Sequence, residues 1–174
     1  MRVLVLGIGN ILFRDEGVGV RVVERLLQEY EFPEDVMILD GGVLGLSLLS
    51  YMADAEYMIV IDAIKRGGRP GTLYRLKEED LPKRIRVKES LHEVDFLEAM
   101  ASLHLLDRVP ETVILGVEPE DIHTVSLELS PVVERKVEQL VGMVLEELNR
   151  VDISYKKRTD NVSCNSSEGL GYSG

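Results

Sequence analysis

Short, almost uninterrupted apolar runs recur along this chain: Val3-Leu4-Val5-Leu6, Val36-Met37-Ile38-Leu39, Met58-Ile59-Val60-Ile61 and Val113-Ile114-Leu115. Apolar runs of this length, bounded by turn residues, read as strands; the first, flanked by Arg2 and Gly7, reads as buried on both faces, and such strands belong to parallel sheets covered by helices. The segments between them have helical periodicity, so each strand leads through a helix into the next by a right-handed crossover. The predicted fold is an α/β three-layer sandwich: a mainly parallel, twisted sheet with helices on both faces, Rossmann-like or flavodoxin-like. Gly71-Thr72-Leu73-Tyr74-Arg75-Leu76 instead alternates small or polar with apolar residues, the pattern of an antiparallel edge strand.

The covering helices show in the spacing of apolar residues. Val18, Val22, Val23, Leu26, Leu27 and Tyr30 share one helical face, and Leu44, Leu48, Tyr51 and Met52 share another. A third helix runs from Leu91 to about Leu105. Ser130-Pro131 opens the last one as N-cap and first-turn proline, with Val133, Val137, Leu140, Val141, Val144 and Leu148 as its buried stripe. After Arg150 the periodicity stops and polar residues dominate, which predicts one α/β domain over residues 1–150 and a polar, mobile tail over 151–174.

Charge and cysteine usage narrow the partners. The chain has 174 residues, enough for one domain with a full core, and a net charge of −11, which opposes binding to a phosphate backbone. Its basic residues cluster at Lys65-Arg66-Gly67-Gly68-Arg69 and Lys83-Arg84-Ile85-Arg86-Val87-Lys88, read as solubilising edge protection or as a docking face for an acidic protein surface. The one cysteine, Cys164, forms no internal disulfide, no cleavable leader is visible, and no apolar run approaches the ~20 residues of a membrane helix. The expectation is a cytoplasmic protein that binds neither nucleic acid nor membrane.

The candidate chemistry lies in residues that parallel-sheet topology gathers on one rim. Ligands of open α/β sheets bind outside the carboxyl ends of the strands. Glu16 follows the first strand, Asp40 ends the second and Asp62 ends the third. His92 falls in the first turn of a helix announced by the capping box Ser90-Leu91-His92-Glu93, where the helix dipole disfavours imidazolium and leaves the neutral, metal-binding form. Taken singly, each has an ordinary explanation: Glu16, or equally Asp15, complements a helix dipole, Asp62 caps its own turn, and His92 is a surface histidine. Taken together, two carboxylates and an imidazole form a three-ligand site for a borderline divalent ion with coordination positions left open.

Other chemistries fit less well. Gly7-Ile8-Gly9-Asn10-Ile11-Leu12 partly matches a dinucleotide fingerprint, with Asp40 where a ribose-binding acid would sit, but Leu12 occupies the place of the third glycine. Neither a Gly-x-Ser-x-Gly elbow nor a His-Glu-x-x-His motif is present, so amide hydrolysis here would need a carboxylate or a metal to activate water.

The chain resembles the hydrogenase maturation proteases over residues 1 to about 150. The resemblance is carried in order by Gly7-Ile8-Gly9-Asn10 with Asp15-Glu16-Gly17-Val18-Gly19, Asp40-Gly41-Gly42, Ile61-Asp62-Ala63, Ser90-Leu91-His92-Glu93 and Gly116-Val117-Glu118-Pro119. It implies an endopeptidase that removes a C-terminal peptide from the nickel-loaded precursor of a hydrogenase large subunit. It also implies that Glu16, Asp62 and His92 contact nickel carried by that substrate, that catalysis draws on Asp40, Asp62 and Glu16, and that the protein is a monomer. A non-catalytic metal-binding or chaperone module docking on a metalloprotein, and a nucleotide-binding α/β domain, are the competing readings.

Overall fold

Residues alternate along the first strand between two buried faces. All six residues of β1 (Val3–Ile8) are buried, Val3 and Val5 in one apolar cluster and Leu4, Leu6 and Ile8 in another. The first cluster is closed by α1 (Val18–Glu29) and α5 (Val137–Arg150), the second by α2 (Leu49–Asp54) and α3 (Leu91–Leu105). The sheet is therefore the middle of three layers, as the double-sided apolar runs predict. The computed structural model describes residues 1–42, 48–77 and 91–159, the side chains of 91–95 and 97 excepted.

Five strands form the main sheet in the order β3 (Val36–Gly42), β1, β4 (Tyr57–Ala63), β6 (Glu111–Val117), β5 (Leu73–Lys77). β1 pairs in parallel with β3 and β4, and β4 in parallel with β6, while β5 runs antiparallel to β6 at the edge. The chain moves from β1 out to β3 and then returns past β1 to β4. The strand order thus reverses beside β1, and the crevice above the carboxyl ends of β1 and β4 is the topological switch point where such sheets bind ligands.

Two glycines bring α1 down onto this part of the sheet. A Cβ on Gly7 would overlap the carbonyl of Gly19, and a Cβ on Gly19 would overlap the carbonyls of Ile61 and Ile8. Backbone meets backbone there, so the start of α1 sits directly over the switch point.

Elsewhere the structure departs from the sequence reading. Leu27 is exposed and Val20 is buried in its stead, and Tyr51 of α2 faces outward while Met52 is wholly buried. Tyr30 leaves the helix for a short strand, β2 (Tyr30–Glu31). The predicted last helix is two, α4 (Pro131–Glu134) and α5, and Ser130 has the extended backbone of an N-cap but makes no side-chain capping bond. The polar stretch after Arg150 does not separate from the domain at once. Val151, Ile153 and Tyr155 pack against the first cluster, and β7 (Lys156–Lys157) pairs antiparallel with β2. Tyr155 meets the Tyr30 ring edge-on at 5.7 Å, a contact that offsets part of the ordering cost composition alone suggests. Leu44, the basic run 83–88 and Cys164 lie outside the described residues. Among the described residues no helix is long and apolar enough to cross a membrane.

Candidate active site

The rim is organised around Gly9. Its φ of +121° is one that side-chain-bearing residues rarely adopt, and a Cβ there would overlap the carbonyl of Glu16 and stand 3.7 Å from Asp62 Oδ1. Its N–H donates to the carbonyl of Gly42, two residues after Asp40, at 3.2 Å. One glycine thus touches the segments carrying Glu16, Asp40 and Asp62, and the loop closes down because no side chain holds it open.

Glu16 lies in a 3-10 turn, Arg14–Gly17, that leads into α1, and Asp62 is the penultimate residue of β4. Both are almost buried, at 7% exposure each. Burying two carboxylates beside one crevice is costly unless each is hydrogen-bonded or shares a cation. Asp62 Oδ1 accepts the N–H of Ala63 at 2.8 Å, the turn-capping bond expected of an aspartate at a strand end. Asp40 is exposed at the end of β3, opposite Gly7 in register.

His92 is the second residue of α3. Five residues separate the C-terminus of that helix from the start of β6, so α3 runs antiparallel to the strands and its N-terminus lies at their carboxyl rim. Phe96, one turn further along, lines a narrow apolar gap with Ile8, Gly41 and Gly42, which places this end of α3 over the same strand ends. The capping residue Ser90 and the side chains of His92 and Glu93 are outside the described residues. Among the described residues no group of three His, Cys, Asp or Glu side chains could by itself hold a metal ion. Glu16 and Asp62 are therefore two candidate ligands of a set that the described side chains leave at two.

Three buried carboxylates were not assigned these tasks by the sequence reading. Asp15, wholly buried, accepts N–H bonds from Glu120 and Asp121 at 2.9 Å each, and from Ser130 the N–H at 2.7 Å and the hydroxyl at 2.9 Å. It is a strut that clamps both ends of the 120–130 loop. Glu118 receives the N–H groups of Arg66 and Gly67 and the Tyr74 hydroxyl at 2.6 Å, fixing the loop that follows Asp62. Burial alone would push its carboxyl up, but Tyr74 and the backbone donors of Arg66, Gly68 and Gly67 outweigh burial and hold it below its ordinary range. Glu147 of α5 binds Arg75 through two bonds, 2.7 and 2.9 Å, and the Tyr57 hydroxyl at 3.0 Å, tying α5 to β4 and β5. For Glu118 the available signal was an acid placed directly between a buried strand and a proline.

The glycine loop does not suit a dinucleotide. Pyrophosphate sites need unspent backbone N–H groups. Here those of Gly9, Phe13, Arg14, Asp15 and Glu16 are bonded to protein carbonyls and that of Leu12 to the Asn10 side chain, which among the described residues leaves those of Asn10 and Ile11 as the loop's unspent pair. Two nearly buried carboxylates beside the loop would also repel a phosphate.

Nearly buried acids at the switch point of an open α/β sheet, beside a loop whose amides are mostly bonded, make this an acid-lined α/β protein and not a phosphate-binding one. Residues 20–147 match the hydrogenase maturation protease family, and the chain belongs to that family of peptide hydrolases. It is 40% identical over 150 residues to the hydrogenase 2 maturation protease of Escherichia coli K12, covering 85% of this chain and 91% of that one. It is 38% identical over 160 residues to the hydrogenase expression/formation protein HupD of Bradyrhizobium diazoefficiens, covering 91% and 83%. The solved structure of the hydrogenase maturating endopeptidase HybD from E. coli superposes with a TM-score of 0.86 at 38% identity, covering 91% of this chain and 98% of that one. The HybD protease of Thermococcus kodakarensis gives 0.69 at 25% identity, covering 84% and 99%.

Proposed function

We propose that this protease removes a C-terminal peptide from the nickel-loaded precursor of a hydrogenase large subunit, and that the substrate's own nickel is what the crevice recognises. The observation that carries the reading is the meeting of the Glu16 and Asp62 segments around Gly9 at the switch point, in a chain of this family. Glu16, Asp62 and His92 are the proposed nickel contacts. Two carboxylates and one imidazole leave positions open on a borderline divalent ion, which suits an ion that arrives already held by another protein.

Peptide hydrolysis then requires a water oxygen to attack the scissile carbonyl while its proton passes to a base and the leaving amine gains one. Asp40, exposed at the neighbouring strand end, is the group proposed to orient that water, with Asp62 and Glu16 as the proposed accompanying acids. Asp15 is not available for this role, since its oxygens accept four hydrogen bonds from the 120–130 loop. The proposed setting is a monomer acting in the cytoplasm on a protein partner, without nucleic acid or membrane.

The test is incubation with purified precursor, with and without nickel, followed by mass measurement of both products. Release of one C-terminal peptide from the loaded form alone is expected. Binding without a change in mass would favour a docking module that does not cut, and equal cleavage of the nickel-free precursor would remove nickel from recognition.

A further inference from the structure

The loop that carries Glu16 is one side of a two-stranded contact. Phe13 bridges Ser126 in parallel, the Ser126 N–H donates to the Leu12 carbonyl at 3.0 Å, and the Ser126 carbonyl accepts the Arg14 N–H at 3.0 Å. Both backbone groups of Ser126 therefore face the Glu16 loop. In a paired strand the groups of the flanking residues face the other way. Among the described residues, the N–H and carbonyl of Val125 and the N–H of Leu127 take no partner. The Leu127 carbonyl takes Arg21 Nη2 at 2.9 Å.

This open edge carries apolar side chains where solvent would favour charge. Val125 is 75% exposed, Leu127 59% and Leu12 53%. Exposed edges are normally blunted by lysine, proline or a covering element. Here Glu120, Asp121 and Glu128 flank the edge in the same loop, and the two arginines beside it are engaged with acids: Arg14 leans on Asp121 at 4.0 Å, and Arg21, which also holds the Leu127 carbonyl, on Glu24 at 3.0 Å. The patch is invisible as a stripe in the sequence because its residues come from two loops more than a hundred positions apart.

We infer that the Thr124–Leu127 edge is the docking strand for an extended stretch of the substrate polypeptide, one that carries apolar side chains and net positive charge. The stretch adds to the edge through main-chain hydrogen bonds and seats its apolar side chains on Val125 and Leu127, with the 124–127 segment between it and the loop that carries Glu16. Strand addition of this kind gives affinity through the backbone and selectivity through alternate side chains. It suits a protease, which must hold its substrate extended for the scissile bond to be reached. The inference rests on the proposed function and names how the same site takes its substrate.

The experiment compares wild type with Val125→Pro, which removes an edge donor, Leu127→Asp, which removes an apolar seat, and Glu128→Lys, which reverses a flanking charge. Processing of nickel-loaded precursor is followed at steady state, with thermal melting as the check on folding. Each variant is expected to raise KM about tenfold while kcat stays within about twofold, since lost ground-state contacts act on binding. Should Val125→Pro fail to fold, the other two carry the test. Wild-type cleavage with unchanged KM in the variants overturns the docking edge and leaves the protease reading standing. If folded wild type releases no peptide, that reading fails and the docking edge with it. Sedimentation of the protein alone adds a third outcome: a dimer that Val125→Pro dissolves would put a second copy on the edge and overturn the proposal.

Discussion

Asp15 and Ser130 are joined twice, the Ser130 N–H donating to Oδ1 at 2.7 Å and its hydroxyl to Oδ2 at 2.9 Å. The two residues are 115 positions apart, so this pair determines how the 120–130 loop lies against the rim. The Ser130 hydroxyl donates to Asp15, and the turn that follows is closed by the Ser130 carbonyl without a side-chain cap.

Asp15→Ala would leave the two buried Ser130 donors without an acceptor, each costing ~1–3 kcal/mol, and strip the part-buried N–H groups of Glu120 and Asp121 as well. A net loss of about 3 kcal/mol is expected in urea unfolding, with faster proteolytic nicking between residues 120 and 130. A stability unchanged within about 0.5 kcal/mol would show that the strut carries no load.

At Gly9 even alanine is too large. With φ at +121° and the Glu16 carbonyl where a Cβ would go, Gly9→Ala should cost about 3 kcal/mol or more. Activity should fall further than stability explains, because the displaced segment is the one that carries Glu16. A variant with wild-type melting and full processing would remove Gly9 from its central place.

Asp62→Asn keeps an amide oxygen to accept the Ala63 N–H, so the fold should hold to within about 1 kcal/mol. Processing of loaded precursor should drop by about a hundredfold or more, the scale for losing a charged group from a reacting centre. Glu16→Gln is expected to behave alike. Full activity in either variant would release that residue from the site.

The Glu147 cluster gives the pH dependence of stability. Arg75, against the opposing effect of burial and together with Tyr57, holds the Glu147 carboxyl below its ordinary range. A lowered folded pKa contributes stability that is present above the unfolded value, about 4.3, and is lost as pH falls through the folded one. Glu147→Gln should therefore cost about 2 kcal/mol near neutrality, discounted because Arg75 is partly exposed, and should flatten the decline of Tm below about pH 4.5. Burial, with the Glu147 bond, pushes the Tyr57 hydroxyl from 10.0 to about 12, so its contribution is whole below pH 10.0 and fades as pH rises toward about 12. Tyr57→Phe should remove that alkaline loss in a melting series.

Strands were the legible part of this fold because β1, β4 and β6 are buried on both faces and their apolar runs have no competing explanation. The rim was legible for the same reason, since strand ends and topology place Glu16, Asp40 and Asp62 without any knowledge of contacts. Local patterns failed where distant residues decide. Ser130-Pro131 reads as a side-chain cap, yet its hydroxyl donates to Asp15, and Leu27 reads as buried because a helical wheel does not show where the sheet ends. Asp15 and Glu16 are neighbours of like chemistry, and only the loop arriving from residue 120 onward separates the strut from the candidate ligand. Residues 151–157 look polar by composition, yet Val151, Ile153 and Tyr155 pack on the first cluster and β7 pairs with β2.

That docked stretch lies far from the crevice. β2 starts where α1 ends, and a helix of twelve residues spans about 18 Å, so β7 sits roughly that distance from the turn holding Glu16. A fluorophore carried on the exposed Lys156 would ride on the back of the molecule, able to report the slower tumbling of a complex without crowding the approach to its mouth.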